Sequence, residues 1–295
     1  MAIFLFRTSS VGRSAGRTAV GAAAYRAGER LRDERSGQLY NYSGRQDVLH
    51  REITLPAQFS AGSVGWAGDR ATLWNAAEYA EGRRDSRVAR EYLLALPHEL
   101  TDEQRVHLTR TLAREISDRY GVAVDAAIHA PRANGDSRNF HAHLLATTRE
   151  VTAAGLGDKA GLDMQGSRRY ERGLLSGIDE LRALRASAAL VINRELQAAN
   201  IASRVDHRTL AAQGIAREPR VWLPWGAYRA EARGLSSDIA DRVRTKYRAR
   251  VQARTPASLE DIRKQAREDW LQMRAAEKPA PASAREKNAD HDFAL

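Results

Sequence analysis

The feature that most constrains the fold of this 295-residue chain is a pair of apolar segments separated by a short polar loop. The first, "VAVDAAIHAP", covers residues 122–131, and the second, "FHAHLLATTREV", covers residues 140–151. Short apolar segments bounded by turn-forming residues predict β-strands. Because only "RANGDSRN" joins the two strands, their simplest arrangement is an antiparallel pair.

Three histidines lie at matching positions of this predicted hairpin. Residues two apart in a strand share a face, so His141 and His143 project side by side. His129 ends the preceding strand, which an antiparallel pairing places beside them. Three imidazoles can hold a metal ion and leave further positions open for substrate. The alternative is that the rings only satisfy neighbours in the core, and Asp125 on the same strand face is either a supporting acid or a solvated residue.

Further strands and helices flank the hairpin. Strands are predicted at "AIFLFR" (2–7), "HREITLP" (50–56) and "AREYLLALP" (89–97). Helices are predicted at residues 17–34, 69–83, 101–121, with a Thr101–Gln104 capping box, and 176–200, whereas the Gly-rich segment 152–162 is predicted to be a loop. The fold class is therefore α+β, with a central antiparallel sheet of about five strands and flanking helices.

Composition narrows the class of protein. The net charge of +10 points to an anionic partner, most simply nucleic acid. The absence of cysteine excludes disulfides, thiolate nucleophiles and thiolate metal sites, and the sequence contains no P-loop pattern for a nucleotide-driven motor. Because no apolar stretch approaches the roughly 20 residues that span a bilayer, we expect a cytoplasmic protein without membrane insertion.

Four long segments, in order along the chain, carry a family resemblance. They are "RSAGRTAVGAAAYRAGERLRDERSGQ", "WNAAEYAEGRRDSRVAREYLLALPHELT", "YGVAVDAAIHAP" and "RNFHAHLLATTREV". The chain resembles MobA/MobL-type relaxases of the HUH endonuclease superfamily from near its N-terminus to "RVDHRTLAAQGI" at 204–215. The resemblance implies an HUH relaxase-like fold for residues 1–215. It also implies strand-specific nicking and rejoining of DNA at an origin of transfer, with a 5′-phosphotyrosyl intermediate, at the start of conjugative transfer or mobilisation.

The resemblance also assigns residues. Tyr25 falls on the nucleophilic tyrosine, and His129, His141 and His143 fall on the three metal ligands. Spacing alone would make Tyr25 a packing residue on a small-residue helix. Glu91 falls on an acidic position next to the metal, where it can accept the phenolic proton or orient a ligating histidine. We favour the second role.

The identity of the metal is left open by the ligand set. Imidazole ligands favour zinc, copper, iron or nickel, whereas the resemblance implies that magnesium or manganese supports nicking. Three histidines bind magnesium poorly, so we expect Mn²⁺ in the active protein, with Mg²⁺ and Zn²⁺ as alternatives.

The expected substrate is origin-of-transfer DNA that is single-stranded or locally melted. Near the tyrosine, the candidate contacts to DNA phosphates are Arg26 and Arg30. The alternative is that both are solvated arginines. Residues 216–276 are predicted to form a basic helical extension, and residues 277–295 a disordered tail. The candidate DNA contacts of the extension are Arg242, Arg244, Lys246, Arg248 and Arg250. The alternative is that these residues form only a solvated face. Relaxosome accessory proteins and a type IV secretion coupling protein are expected partners, with possible export of the DNA-linked protein.

Two other functions compete with the relaxase interpretation. A non-catalytic DNA-binding accessory protein could share the fold, and a three-histidine zinc hydrolase could share the histidines. The presence of Tyr25 together with all three histidines argues against the first. The basic balance and the long matching segments argue against the second.

Overall fold

The computed structural model describes residues 4–59, 64–133, 136–215, 221, 223–252, 264, 267, 268 and 270–272. The strands are β1 (Phe6–Gly12), β2 (Arg30–Arg32), β3 (Leu39–Asn41), β4 (Val48–Thr54), β5 (Arg87–Ala95), β6 (Val124–His129), β7 (His141–Thr147), β8 (Arg149–Thr152) and β9 (Gly155–Lys159). The helices are α1 (Ala19–Ala27), α2 (Arg70–Tyr79), α3 (Asp102–Tyr120), α4 (Gly166–Glu171), α5 (Gly177–Ala198), α6 (Trp225–Ala232) and α7 (Asp238–Gln252).

Five strands form the central sheet, in the order β1-β5-β7-β6-β4. All four neighbouring pairs are antiparallel, including the hairpin of β6 and β7. This confirms the predicted α+β class and the five-stranded antiparallel sheet. The helical extension contributes α6 and α7 among the described residues.

Helices cover the two faces of the sheet unequally. On one face, Leu108 and Leu112 of α3 and Leu184 of α5 pack in the same buried cluster as Leu144 of β7. On the other face, the alanines of α1 and Trp74 of α2 pack in a cluster with Val11, Ala89 and Leu145. Further along this second face His141, His143 and Leu93 are only half-buried. That part of the sheet remains accessible.

Helix α1 is shorter than predicted. Thr18 caps its start by accepting a hydrogen bond from the backbone N–H of Gly21, and Gly28 ends it with φ of 63°. A left-handed glycine is a common helix terminator, and the prediction of a helix running to residue 34 overlooked it. The chain continues instead into β2, which pairs with β3. Arg30 therefore lies on β2, not on the helix of Tyr25.

The Gly-rich segment predicted to be a loop contains a strand. Residues Gly155–Lys159 form β9, which pairs with β8 in a small antiparallel hairpin. Gly155 has φ of 129°, which allows the tight reversal between the two strands. In contrast, α3 has the predicted capping box between Thr101 and Gln104 and ends at Gly121.

The chain divides into two compact units, Met1–His207 and Arg208–Leu295. The predicted boundary between the relaxase domain (1–215) and the extension (216–276) lies a few residues beyond this division. The predicted tail, 277–295, lies outside the described residues. Of the helices that the structure describes, none has the length and apolarity needed to cross a membrane.

The end of α1 provides a test of this local structure. Gly28→Ala should lower the free energy of unfolding by about 1–2 kcal/mol, because a Cβ is disfavoured in the left-handed region. The added Cβ would also lie 3.1 Å from Cγ2 of Val48. Urea denaturation followed by circular dichroism measures the effect.

Gly44→Ala is the matched control, because the added Cβ meets nothing within 4 Å and the backbone needs no positive φ. Equal stability of the two variants would contradict the role given to Gly28.

Candidate metal centre and nucleophile

The pairing of β6 with β7 brings the three predicted histidines together. His129 lies directly opposite His141, and His143 follows two residues later on the same face. The three ring centroids are 4.7–5.4 Å apart. One nitrogen of each ring lies within 4.8 Å of the others. Three nitrogen donors this close together form a set that one divalent cation can bridge.

One nitrogen of each ring lies within hydrogen-bond distance of an oxygen atom of the protein. These pairs are His129 Nε2 with the Arg26 carbonyl at 2.8 Å, His141 Nδ1 with the Asn139 carbonyl at 2.9 Å, and His143 Nδ1 with Glu91 Oε1 at 2.7 Å. A ring that donates N–H to such an acceptor keeps a lone pair on its other nitrogen. The metal-facing atoms are therefore Nδ1 of His129 and Nε2 of His141 and His143. This donor set fits a divalent cation.

Burial keeps the ring of His129 uncharged at neutral pH. Burial lowers the pKa of His129, the hydrogen bond to the Arg26 carbonyl raises it, and the net pKa is about 4. Burial likewise lowers the pKa of His141. Neutral imidazole is the form that binds metal. The two rings need not lose a proton to accept a cation.

Glu91 is a buried carboxylate between His143 and α1. Its Oε1 accepts hydrogen bonds from His143 and from Arg26 Nε at 2.6 Å, and its Oε2 accepts one from Ser9 at 3.2 Å. Burial raises the pKa of Glu91, but His143 and Arg26 outweigh it and lower the pKa to about 2. The ionised carboxylate thus fixes the tautomer of His143, as expected of a group that orients a ligand.

Arg26 faces into the protein, not into solvent. The residue is 8% exposed, and its guanidinium pairs with Glu91 and donates to the Ala22 carbonyl at 2.8 Å. We expected Arg26 to contact a DNA phosphate, and this is wrong because its side chain is buried. Its backbone carbonyl meanwhile accepts from His129. Arg26 therefore connects α1 to the histidine cluster through two contacts, its side chain with Glu91 and its carbonyl with His129. Arg30, on β2, is exposed.

Tyr25 lies next to Arg26 on the partly exposed face of α1. The residue is 39% exposed, and its ring packs edge-to-face with the Tyr42 ring, with the ring centroids 5.2 Å apart. The guanidinium carbon of Arg45 lies 4.2 Å from the ring centroid of Tyr25. Tyr25 is therefore not a packing residue of the core.

Arg45 and Asp47 are residues of the site that the sequence patterns missed. Arg45 Nη1 donates to the Tyr25 carbonyl at 2.6 Å, and Nη2 lies 3.5 Å from His129 Nδ1. Asp47 accepts from Arg45 Nε at 2.8 Å and from Nη2 at 2.5 Å. Both residues directly precede β4, whose Val48 pairs with His129. Only knowledge that β4 pairs with β6 would have identified them.

Asp125 does not belong to the metal centre. It is buried and accepts hydrogen bonds from Arg70 at 2.8 and 2.9 Å and from Trp74 Nε1 at 2.9 Å. Both alternatives considered for it, a supporting acid beside the histidines and a solvated residue, are wrong. Its carboxylate instead joins α2 to the sheet.

In the second unit, α7 carries the predicted basic residues. Arg242, Lys246 and Arg248 are exposed. Arg244 pairs with Glu231 at 2.5 and 2.7 Å, which compensates its charge. Arg250 lies in α7, and its side chain is outside the described part of the structure.

The contact between Glu91 and His143 gives a prediction. Glu91→Gln should weaken Mn²⁺ binding about 10- to 100-fold, because loss of a carboxylate that orients a ligating histidine typically has that effect. Isothermal titration calorimetry measures the affinity. Glu52→Gln is the control, because Glu52 pairs with Arg110 at the surface. Equal Mn²⁺ affinity in the two variants would contradict the role of Glu91.

Comparison with known proteins identifies the family of this chain. The profile of the MobA/MobL family matches residues 17–233. The chain is 36% identical over 240 residues to mobilization protein MobL of Acidithiobacillus ferridurans, covering 74% of this chain and 61% of that protein. It is 32% identical over 257 residues to the probable conjugal transfer protein TraA of Sinorhizobium fredii, covering 81% and 23%. The chain thus spans only part of the length of these relatives.

A solved structure has a similar fold. It comes from work on the molecular basis of vancomycin resistance transfer in Staphylococcus aureus. The TM-score is 0.58 at 26% identity, covering 70% of this chain and 100% of that one. The family match extends over most of the chain. The chain belongs to the MobA/MobL family.

Proposed function

We propose that this protein is a relaxase that nicks and rejoins one DNA strand at an origin of transfer, with Tyr25 as nucleophile. The observation that carries the proposal is that the Tyr25 ring and the metal-facing nitrogen of His129 contact the same guanidinium, that of Arg45. The nucleophile and the metal ligands are therefore neighbours. Tyr25 is also exposed enough to meet a substrate.

The reaction is a transesterification at phosphorus. The phenolic oxygen of Tyr25 forms a new P–O bond, and the bond from phosphorus to the 3′ oxygen breaks. The phenol loses its proton, and the departing 3′ oxygen gains one. The products are a 5′-phosphotyrosyl strand and a free 3′-hydroxyl. Rejoining is the reverse reaction, because the phosphotyrosine conserves the ester bond.

The histidines would hold the divalent cation of this reaction. A bound cation supplies Lewis-acid neutralisation of the phosphate charge. The proposed ligands are Nδ1 of His129 and Nε2 of His141 and His143. Imidazole donors alone favour Zn²⁺ over Mn²⁺ and Mg²⁺, and Mn²⁺ is proposed as the ion of the active protein because of the family resemblance. Glu91 orients His143, and Arg26 keeps that carboxylate ionised and fixed.

The substrate and partners follow from the family and the charge. The relatives are named for mobilisation and conjugal transfer, which supports origin-of-transfer DNA as the substrate. The strand that reaches Tyr25 and the histidines has to expose and bend its backbone there. We therefore expect it to be single-stranded or locally melted, because a paired duplex resists such a bend. Relaxosome accessory proteins and a type IV coupling protein are the proposed partners. The protein would act in the cytoplasm and leave with its DNA.

Two other functions account for less of the site. A non-catalytic accessory protein needs neither an exposed tyrosine nor three clustered histidines. A small-substrate zinc hydrolase needs the histidines but gives no reason for a tyrosine beside them, or for the net charge of +10.

Removal of one hydroxyl tests the proposal. With Mn²⁺ and single-stranded oligonucleotides tiled across the noncoding DNA that flanks its own gene, the full chain should form a covalent adduct. Tyr25→Phe should abolish the adduct while leaving oligonucleotide binding unchanged, because only the nucleophilic oxygen is lost. Denaturing gel electrophoresis detects the adduct.

The control for this variant is Tyr79→Phe, which changes an exposed tyrosine at the end of α2. It should form the adduct at the wild-type rate. Adduct formation by Tyr25→Phe, or its absence from the wild-type protein on every oligonucleotide, would contradict the proposed function.

The exposed cations of α7 give a second prediction. The double variant Arg242→Gln/Lys246→Gln should weaken binding to duplex DNA and reduce the slope of log affinity against log salt by about 2. Fluorescence anisotropy at several salt concentrations measures this slope. Arg244→Gln should change it less, because Glu231 already compensates that charge. An unchanged slope in the double variant would make α7 a solvated face only.

A further inference from the structure

The guanidinium of Arg45 lies between the nucleophile and the metal ligands. It stands 4.2 Å over the Tyr25 ring, and its Nη2 is 3.5 Å from the metal-facing nitrogen of His129. The Arg45 side chain is 16% exposed. A phosphate that reaches both Tyr25 and the histidines therefore has to come within contact distance of this charge.

Arg45 is held in place by the protein around it. Nε and Nη2 donate to Asp47, and Nη1 donates to the Tyr25 carbonyl. These three bonds use three of the five N–H donors of the guanidinium, and a fourth, on Nη2, faces His129 Nδ1 at 3.5 Å. The hydrogen bond to Asp47 raises the pKa of Arg45, so the group is a permanent cation. It is a fixed charge, and its N–H at His129 would lose that acceptor and be available to an anion if His129 Nδ1 held a cation.

The position of this charge conflicts with a metal ion unless an anion is present. A divalent cation on the three histidines would use the lone pair of His129 Nδ1, and Nη2 would then face a positive centre. The guanidinium and a cation bound there would repel each other, and the Asp47 carboxylate offsets part of this repulsion. A phosphodiester relieves this repulsion, because its two non-bridging oxygens can face the two cations separately.

We propose that Arg45 is a catalytic residue that donates to a non-bridging oxygen of the phosphate attacked by Tyr25, and that Asp47 positions it. This inference rests on the proposed function and adds to it a residue that binds the phosphate. Arginine suits the role, since its planar donors match phosphate oxygens and it cannot lose its charge. The Arg45 guanidinium would hold the phosphate against the Tyr25 ring in the geometry for attack.

The inference makes two opposite predictions for one variant. Arg45→Met should bind Mn²⁺ roughly tenfold more tightly in the absence of DNA, because a like charge next to His129 is removed. The same variant should form the covalent adduct roughly 10- to 100-fold more slowly, since a charged hydrogen bond to the substrate is lost. Arg45→Lys should recover part of the rate, because it restores the charge but not the planar fork.

The experiment uses the full chain with calorimetric Mn²⁺ titration and with the oligonucleotide on which the wild-type protein forms its adduct. Arg110→Met is the matched control. Arg110 pairs with Glu52 at 2.7 Å, as Arg45 pairs with Asp47, but lies exposed on α3 away from the histidines. It should leave both readouts unchanged.

The outcomes separate the inference from the proposed function. If wild-type protein forms the adduct and Arg45→Met does so at the same rate, Arg45 is not a phosphate ligand and the relaxase function stands. If Arg45→Met loses Mn²⁺ affinity together with adduct formation, Arg45 only supports His129, and the inference is overturned. If the wild-type protein forms no adduct, the proposed function fails and the inference with it.

Discussion

The register of β6 against β7 is the constraint on which the site depends. His129 ends β6 and His141 begins β7, and they lie directly opposite each other, so that His143 completes the group on the same face. A shift of one residue in this register would move a strand's side chains to the opposite face. On that face Leu108 and Leu112 of α3 pack against Leu144. The same hydrophobic alternation that fixes the core therefore fixes the cluster of three histidines.

A second requirement is the position of α1, which carries Tyr25. Fully buried Glu78 accepts hydrogen bonds from the backbone N–H of Ala19 and from Arg13 at the start of this helix. At the other end, Arg26 bonds to Glu91 through its side chain and to His129 through its carbonyl. The helix is thus anchored at both ends, and its last turn contacts the histidine cluster. Tyr25 is held where it can approach a phosphate without itself being buried.

The sequence predicted the parts of the site that depend on local patterns. The hairpin follows from two apolar segments and a short polar loop, and the alternation within β7 places His141 and His143 on one face. The capping box at Thr101 and the stop at Gly121 are local signals as well, and both are present. The family resemblance then supplied the roles of Tyr25 and Glu91, which no spacing indicated.

Non-local contacts account for what could not be predicted. Arg45 and Asp47 reach the centre because β4 pairs with β6, strands more than 70 residues apart in the chain. The inward direction of Arg26 depends on a buried carboxylate on β5, and Asp125 was misjudged because its partners lie on α2. Charged residues on an amphipathic helix give no local sign of which of them is buried.

The most direct test of the central claim is to locate the covalent bond between protein and DNA. Adduct formed with Mn²⁺ is digested with nuclease and trypsin, and the peptides are analysed by mass spectrometry. The account predicts a nucleotide on the peptide Thr18–Arg26, "TAVGAAAYR", attached at Tyr25, and none when the cation is removed with EDTA. Attachment at any other residue, or attachment that persists without a cation, would contradict it.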